Sequence, residues 1–97
     1  MDIEIAVHVT QVLKALAHPV RLQIVDVLKS GEQCVCDIMA AVGGKQSITS
    51  QQLNMMKDKG VLVCRRDGSK AFYRIENENV IRLLACVNDN CDEKAAG

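Results

Sequence analysis

The spacing of apolar residues changes several times along this chain, and each change marks an element. Ile5, Val9, Val12, Leu13 and Leu16 recur at three- and four-residue intervals, which places them on one stripe of a first helix over residues 3–17. His18-Pro19 interrupts it. Proline disfavours helical geometry in the residue before it yet suits the first turn of a new helix, so a second helix starts at Pro19 and carries Leu22, Ile24, Val25 and Leu28 inward. Ser30-Gly31 ends that helix. A third is predicted from about Cys34 to Val42, with Ile38 and Val42 inward, and Gly43-Gly44 stops it. A fourth starts near Gln46 to Ser47 and continues to Lys59, with Leu53 and Met56 inward and Gly60 as its cap. Two short helices around a tight glycine turn read as a helix-turn-helix over residues 34–59, a pattern shared with plain structural corners.

From Val61 to Ile75 the chain holds two β-prone runs joined through Asp67-Gly68, a strong hairpin signal. A last helix is expected over residues 77–88, capped by Asn77, with Val80, Leu83, Leu84 and Val87 on one apolar face. Residues 89–97 are expected to form a polar tail. The predicted fold class is therefore mainly α with a small β-hairpin wing (α+β), a winged helix-turn-helix in a single domain over residues 1–97, with the wing at 61–75.

Composition supports helices over a β-sandwich: 48% of residues are hydrophobic, but there is one Phe, one Tyr and no Trp, so the core is built from Val, Ile, Leu, Met and Ala. A chain of 97 residues holds one modest core and often gains stability by pairing, which makes a homodimer an early expectation. The N-terminus carries Asp2 and Glu4 rather than a basic leader, and no apolar run approaches the roughly 20 residues of a membrane span. The expected location is cytoplasmic, without membrane contact. In that compartment five cysteines are expected to be thiols, metal ligands or redox groups rather than a disulfide framework.

Overall charge is zero, but its distribution is uneven. Seven Lys and Arg residues stand between Lys45 and Arg74 against Asp58 and Asp67 only, so a basic middle lies between acidic ends. Arg65, Arg66 and Lys70 surround the hairpin turn, where a wing would touch phosphates while the fourth helix lies in the major groove. Charged residues on an edge hairpin also discourage aggregation, so the charge alone leaves both uses open.

Taken together, "LKALAHPVRLQIVDVL" from Leu13, "CVCDIMAAVG" from Cys34, "SQQLNMMKDKGVL" from Ser50 and "RRDGSKAFYRI" from Arg65 give the chain its family likeness: it resembles the ArsR/SmtB family of winged-helix repressors over nearly its whole length. The resemblance implies a homodimer that binds an inverted-repeat operator in double-stranded DNA and leaves it when a metal, metalloid or other inducer binds. It also implies that the first and last helices form the dimer interface. By position Gln46, Ser47, Ser50 and Gln51 are placed against base edges, where amides and hydroxyls read donor and acceptor patterns, and Lys57 joins the DNA-facing cations. Lys45 and Gln52 stand where many members carry serine and histidine, which leaves the operator sequence open.

In the arsenic-sensing and cadmium/lead-sensing branches a Cys-Val-Cys-Asp segment opens the helix before the reading helix, and Cys34-Val35-Cys36-Asp37 matches it. Thiolates are soft ligands suited to arsenite, antimonite, cadmium or lead. Residues two apart on a regular helix point about 200° from each other, so joint ligation requires the first turn to unwind, and that distortion would misplace the reading helix. Met39 occupies the place of a third cysteine. Cys86 and Cys91, near Asp89 and Asp92, are the candidates for completing this site or forming a second one; Cys64 reads as strand packing. His8 and His18 read as a hydrogen-bonded histidine and a residue that opens the second helix, and the last helix lacks the histidines of a zinc site. No cofactor is required for the fold. The alternatives are a redox or persulfide sensor, whose two-cysteine plan needs a thiol where Asp26 stands, and a protein-interaction module. An enzyme ranks last, because neither histidine marks a partner base for a thiol nucleophile.

Overall fold

A computed structural model describes the backbone of residues 1–43 and 45–96 and, within these, the side chains as far as Val87. Helix α1 (Ile3–Leu16) is followed by α2 (Pro19–Leu28), strand β1 (Gln33–Cys34), α3 (Val35–Val42), α4 (Gln46–Asp58), strands β2 (Leu62–Asp67) and β3 (Lys70–Ile75), and α5 (Glu78–Ala96). Local chemistry sets the helix ends. His18 Nδ1 accepts from the Val20 amide at 3.1 Å and Pro19 stands in the first turn of α2. Asn77 Oδ1 accepts from the Asn79 amide at 2.9 Å ahead of α5. Gly43 closes α3 at φ 74°, a left-handed conformation that costs a glycine little, with its amide donating to the Met39 carbonyl.

The sheet has three antiparallel strands in the order β1-β3-β2. The hairpin turns through Gly68 between the paired Asp67 and Lys70. The short β1 carries no alternating run long enough to read from the sequence. It pairs Gln33 with Tyr73 and Cys34 with Phe72, which puts Cys34 in an extended conformation as the residue before α3 rather than inside it. Gln33 Nε2 also donates to the Val27 carbonyl at 2.8 Å, pinning β1 to α2.

The core gathers Leu16, Ile24, Val25, Leu28, Ile38, Leu53, Met56, Val61, Leu62, Tyr73, Ile75 and Val80 from every helix and from the hairpin. Burying side chains of this size removes roughly 1.5–3 kcal/mol each from water, so α4 and the wing are held on one rigid support. Leu22 departs from expectation: it is exposed, because the inward face of α2 is already filled by Ile24, Val25 and Leu28. The stripes of α1 and α5 are likewise only half used. Ile5 (54% exposed) and Leu13 (48%) on α1, and Leu83 and Val87 (51%) on α5, stay open, since within one chain only the inner edge of each stripe meets the core. The last helix also runs on to Ala96 where a polar tail was expected, and no proline or glycine interrupts residues 89–96. Among the described residues no helix is long and apolar enough to cross a membrane.

Candidate nucleic-acid interface and thiol segment

Helix α4 turns Thr49, Leu53 and Met56 into the core, so by helical geometry Ser47, Gln51, Asn54 and Asp58 form its outward ridge. Gln46, Ser47 and Gln51 are exposed as expected; Ser50 is half-buried at the flank. Asn54 and Ile48 are outward-facing residues missed from the sequence. Ile48, 44% exposed, is out of phase with the Thr49-Leu53-Met56 spacing, which is the signal that marks it as outward. The acidic group of the ridge, Asp58, lies at its C-terminal end, while the N-terminal half carries none. Together with the partial positive charge of a helix N-terminus, this makes the N-terminal half the end that a polyanion would meet. Gln52 is occupied otherwise: its Oε1 accepts from Arg21 Nε at 2.7 Å, and Arg21 also donates to the Lys14 carbonyl at 3.1 Å. That contact ties α4 to α2 and to the end of α1.

Lys57, Arg65, Arg66 and Lys70 are all exposed. Among the described residues Arg66 and Lys70 enter no ion pair, but Arg65 does. Its guanidinium grips Glu32 through Nη2 at 2.7 Å and Nε at 3.2 Å, lies 4.6 Å from the centre of the Phe72 ring, and reaches Asp67 at 3.9 Å. Hydrogen bonding from Arg65 holds the Glu32 carboxyl below its ordinary range. Of the four wing cations, Arg66 and Lys70 are thus free among the described residues, Arg65 is engaged by Glu32, and Arg74 lies 3.8 Å from Glu76. A link between residues 33 positions apart leaves no local trace in the sequence, which is why Arg65 was grouped with the others.

Of the thiols, Cys34 is half-buried at the end of β1, and Cys36 is exposed in the first turn of α3. Because Cys34 sits in extended backbone, helical spacing does not dictate its direction relative to Cys36. Cys64 is half-buried on β2 opposite Tyr73, whose hydroxyl is pushed above its ordinary pKa by burial first and by the Cys64 thiol next. Cys86 is exposed on α5, and the side chain of Cys91 lies outside the described residues. Among the described residues no three His, Cys, Asp or Glu side chains gather to hold a metal ion, so Cys86 is not brought into a three-ligand set with Cys34 and Cys36.

Comparison with known proteins places these features. The family model described as bacterial regulatory protein, arsR family, matches residues 18–62. The HTH-type transcriptional regulator Rv0324 of Mycobacterium tuberculosis is 42% identical over 91% of the chain, which spans 39% of that relative's length. The homodimeric winged helix-turn-helix DNA-binding domain of Mb0332 from Mycobacterium bovis, described as a possible ArsR-family transcriptional regulator, superposes with a TM-score of 0.81 at 39% identity, covering 98% of this chain and 90% of that one. The antimony-specific transcriptional repressor AntR superposes with a TM-score of 0.84 at 34% identity, covering 95% and 84%. The fold and the relatives are those of transcriptional regulators rather than enzymes.

Proposed function

Because the chain belongs to the ArsR family of bacterial regulatory proteins, we propose that it is a homodimeric repressor that binds an inverted-repeat operator and is released by a thiophilic metalloid at Cys34 and Cys36. One observation carries the DNA-binding part: a polar, acid-free N-terminal half of α4 is fixed to the same core as a hairpin bearing the unpaired cations Arg66 and Lys70. In this reading Ser47 and Gln51, with Asn54 and Ile48 beside them, face base edges. Gln46, Ser50 and Lys57 flank them, and Arg66 and Lys70 neutralise phosphates. The open apolar faces of α1 and α5 are then covered by the same helices of a second copy, as suits the homodimeric relative.

The donor set favours arsenite or antimonite over cadmium or lead. A neutral metalloid trihydroxide needs only two thiols: each S–H gives its proton to a departing hydroxide, two waters leave, and two sulfur bonds form while one hydroxide stays. The two cysteines of the segment satisfy that exchange alone. A soft divalent cation stripped of water asks for three or four donors, which the described residues do not gather. Closing both sulfurs on one atom pulls Cys34 and the first turn of α3 together, and α3 is one of the helices packed against α4. Cys86 and Cys91 remain candidates for a second site on α5.

Footprinting of the DNA upstream of its own coding sequence tests the operator part. Protection of an inverted repeat with half-sites about one helical turn apart is expected, with affinity that falls steeply as salt rises. Absence of any protected repeat at low salt contradicts it.

A further inference from the structure

The thiol segment is joined to the wing by more than backbone. In the row Cys34-Phe72-Arg65 across β1, β3 and β2, each residue is paired with the next, so all three side chains stand on one face of the sheet. Glu32, two residues before Cys34, closes the row from outside by accepting from both Nε and Nη2 of Arg65, while the Arg65 guanidinium rests on Phe72. Arg65 is therefore attached at one end to the hairpin and at the other to the strand from which Cys34 projects. Nothing in DNA binding or metalloid binding by itself requires this arrangement. A cation on a wing is worth most when free to meet phosphate, and this one is spent on a carboxylate.

We infer that the Glu32–Arg65 pair, seated on Phe72, is a strap that makes the wing follow the thiol segment, so that ligand closure on Cys34 and Cys36 displaces the wing as well as α4. The inference rests on the inducer reading above. Glu32 acts here as a positioning residue: it touches neither DNA nor the metalloid, and its effect lies in the coupling between the two sites. The pair of strands that carries the strap is short on one side. β1 holds only two residues against β3, so without the side-chain link the segment can shift while the β2–β3 hairpin stays where it is. Displacement of both α4 and the wing removes base contacts and phosphate contacts together, which a distortion limited to α3 would not do.

The test compares wild type, Glu32→Gln and Asp67→Asn. Asp67 is the other carboxylate near Arg65, at 3.9 Å, but belongs to the wing itself and makes no link to the Cys34–Cys36 segment. Three quantities are measured for each protein: operator affinity without ligand, operator affinity with saturating antimonite, and antimonite affinity of the DNA-free dimer from its thiolate-to-antimony absorbance. The strap predicts that the ratio of the two operator affinities falls by about threefold in Glu32→Gln, in the range of a single well-formed exposed ion pair. It stays at the wild-type value in Asp67→Asn. Antimonite affinity of the DNA-free protein should not differ between wild type and Glu32→Gln, and by reciprocity the operator's own effect on antimonite binding should shrink by the same factor as the ratio. A wild-type ratio in Glu32→Gln, an equal loss in Asp67→Asn, or a loss accounted for by weaker antimonite binding to the free protein overturns the strap while leaving the inducer reading intact. A wild-type protein that fails to bind antimonite, or that binds it and keeps its operator, overturns the inducer reading and the strap with it.

Discussion

Gln51 and Arg66 illustrate how differently two exposed residues of one interface are expected to behave. Gln51 stands on the outward ridge of α4, where the proposed complex sets its amide against base edges, so Gln51→Ala should relax sequence preference while leaving binding to random duplex nearly unchanged. Arg66, exposed on the wing, is proposed to meet phosphate, so Arg66→Ala should weaken operator and random DNA alike and lower the salt slope by about one unit. Equal losses on both duplexes for Gln51→Ala would place the reading surface elsewhere. Two buried or paired groups add predictions about stability. The Thr49 hydroxyl is fully buried without a hydrogen-bond partner among the described residues. Replacing it by the isosteric Thr49→Val removes an unsatisfied polar group and should raise stability by about 1 kcal/mol in urea denaturation; a loss of stability would show that the hydroxyl is satisfied in solution. Tyr73 has its pKa raised by burial and by Cys64, so the stability tied to it is fully present below the ordinary tyrosine value and is lost as pH rises through the raised one. Alkaline unfolding followed by circular dichroism should accordingly begin at higher pH in Tyr73→Phe than in wild type.

At the level of elements, the sequence and the structure agree wherever a local cause acts. Pro19 after His18, Gly43, Asn77 and the Asp67-Gly68 turn each determine a boundary through the chemistry of one or two residues, and each boundary falls within a residue or two of its expected place. The features that were not legible depend on residues distant in the chain. Strand β1 exists only because β3 offers it an edge, and Arg65 is engaged only because the fold brings Glu32 to it. Leu22 looked inward by spacing but lost its place to Ile24, Val25 and Leu28, a matter of how α2 sits on the core rather than of its own pattern. That Gln46, Ser47 and Gln51 stand exposed on α4 was legible in the sequence. That Ser50 sits half-buried at the flank, and that Ile48 and Asn54 are exposed beside them, needed the orientation of α4 against the core. The thiol segment was legible as chemistry, since soft donors stand out in any sequence. Its geometry was not, because Cys34 lies on a strand that the sequence does not announce.

Across the whole molecule, the outer halves of the α1 and α5 stripes stay open in the single chain, and in the proposed homodimer a second copy covers them. On α1, Ile5 and Leu13 form the open part of that stripe, whereas the exposed Ile3 and Val7 stand on the opposite side of the helix. The double substitution Ile5→Glu/Leu13→Glu leaves the core of the chain untouched and should shift the protein to monomer in sedimentation equilibrium, with operator affinity falling because two reading helices no longer act together. A wild-type protein that sediments as a monomer at micromolar concentration would contradict the dimer. Dimer, operator and thiols meet in one experiment, the titration of the protein–operator complex with antimonite. The comparison is between wild type, Cys34→Ser/Cys36→Ser and Cys86→Ser/Cys91→Ser. On the proposed role of Cys34 and Cys36, wild type and the Cys86→Ser/Cys91→Ser protein should be released at similar antimonite concentrations, and the operator complex of the Cys34→Ser/Cys36→Ser protein should stay intact. Release that survives loss of Cys34 and Cys36 would contradict that role.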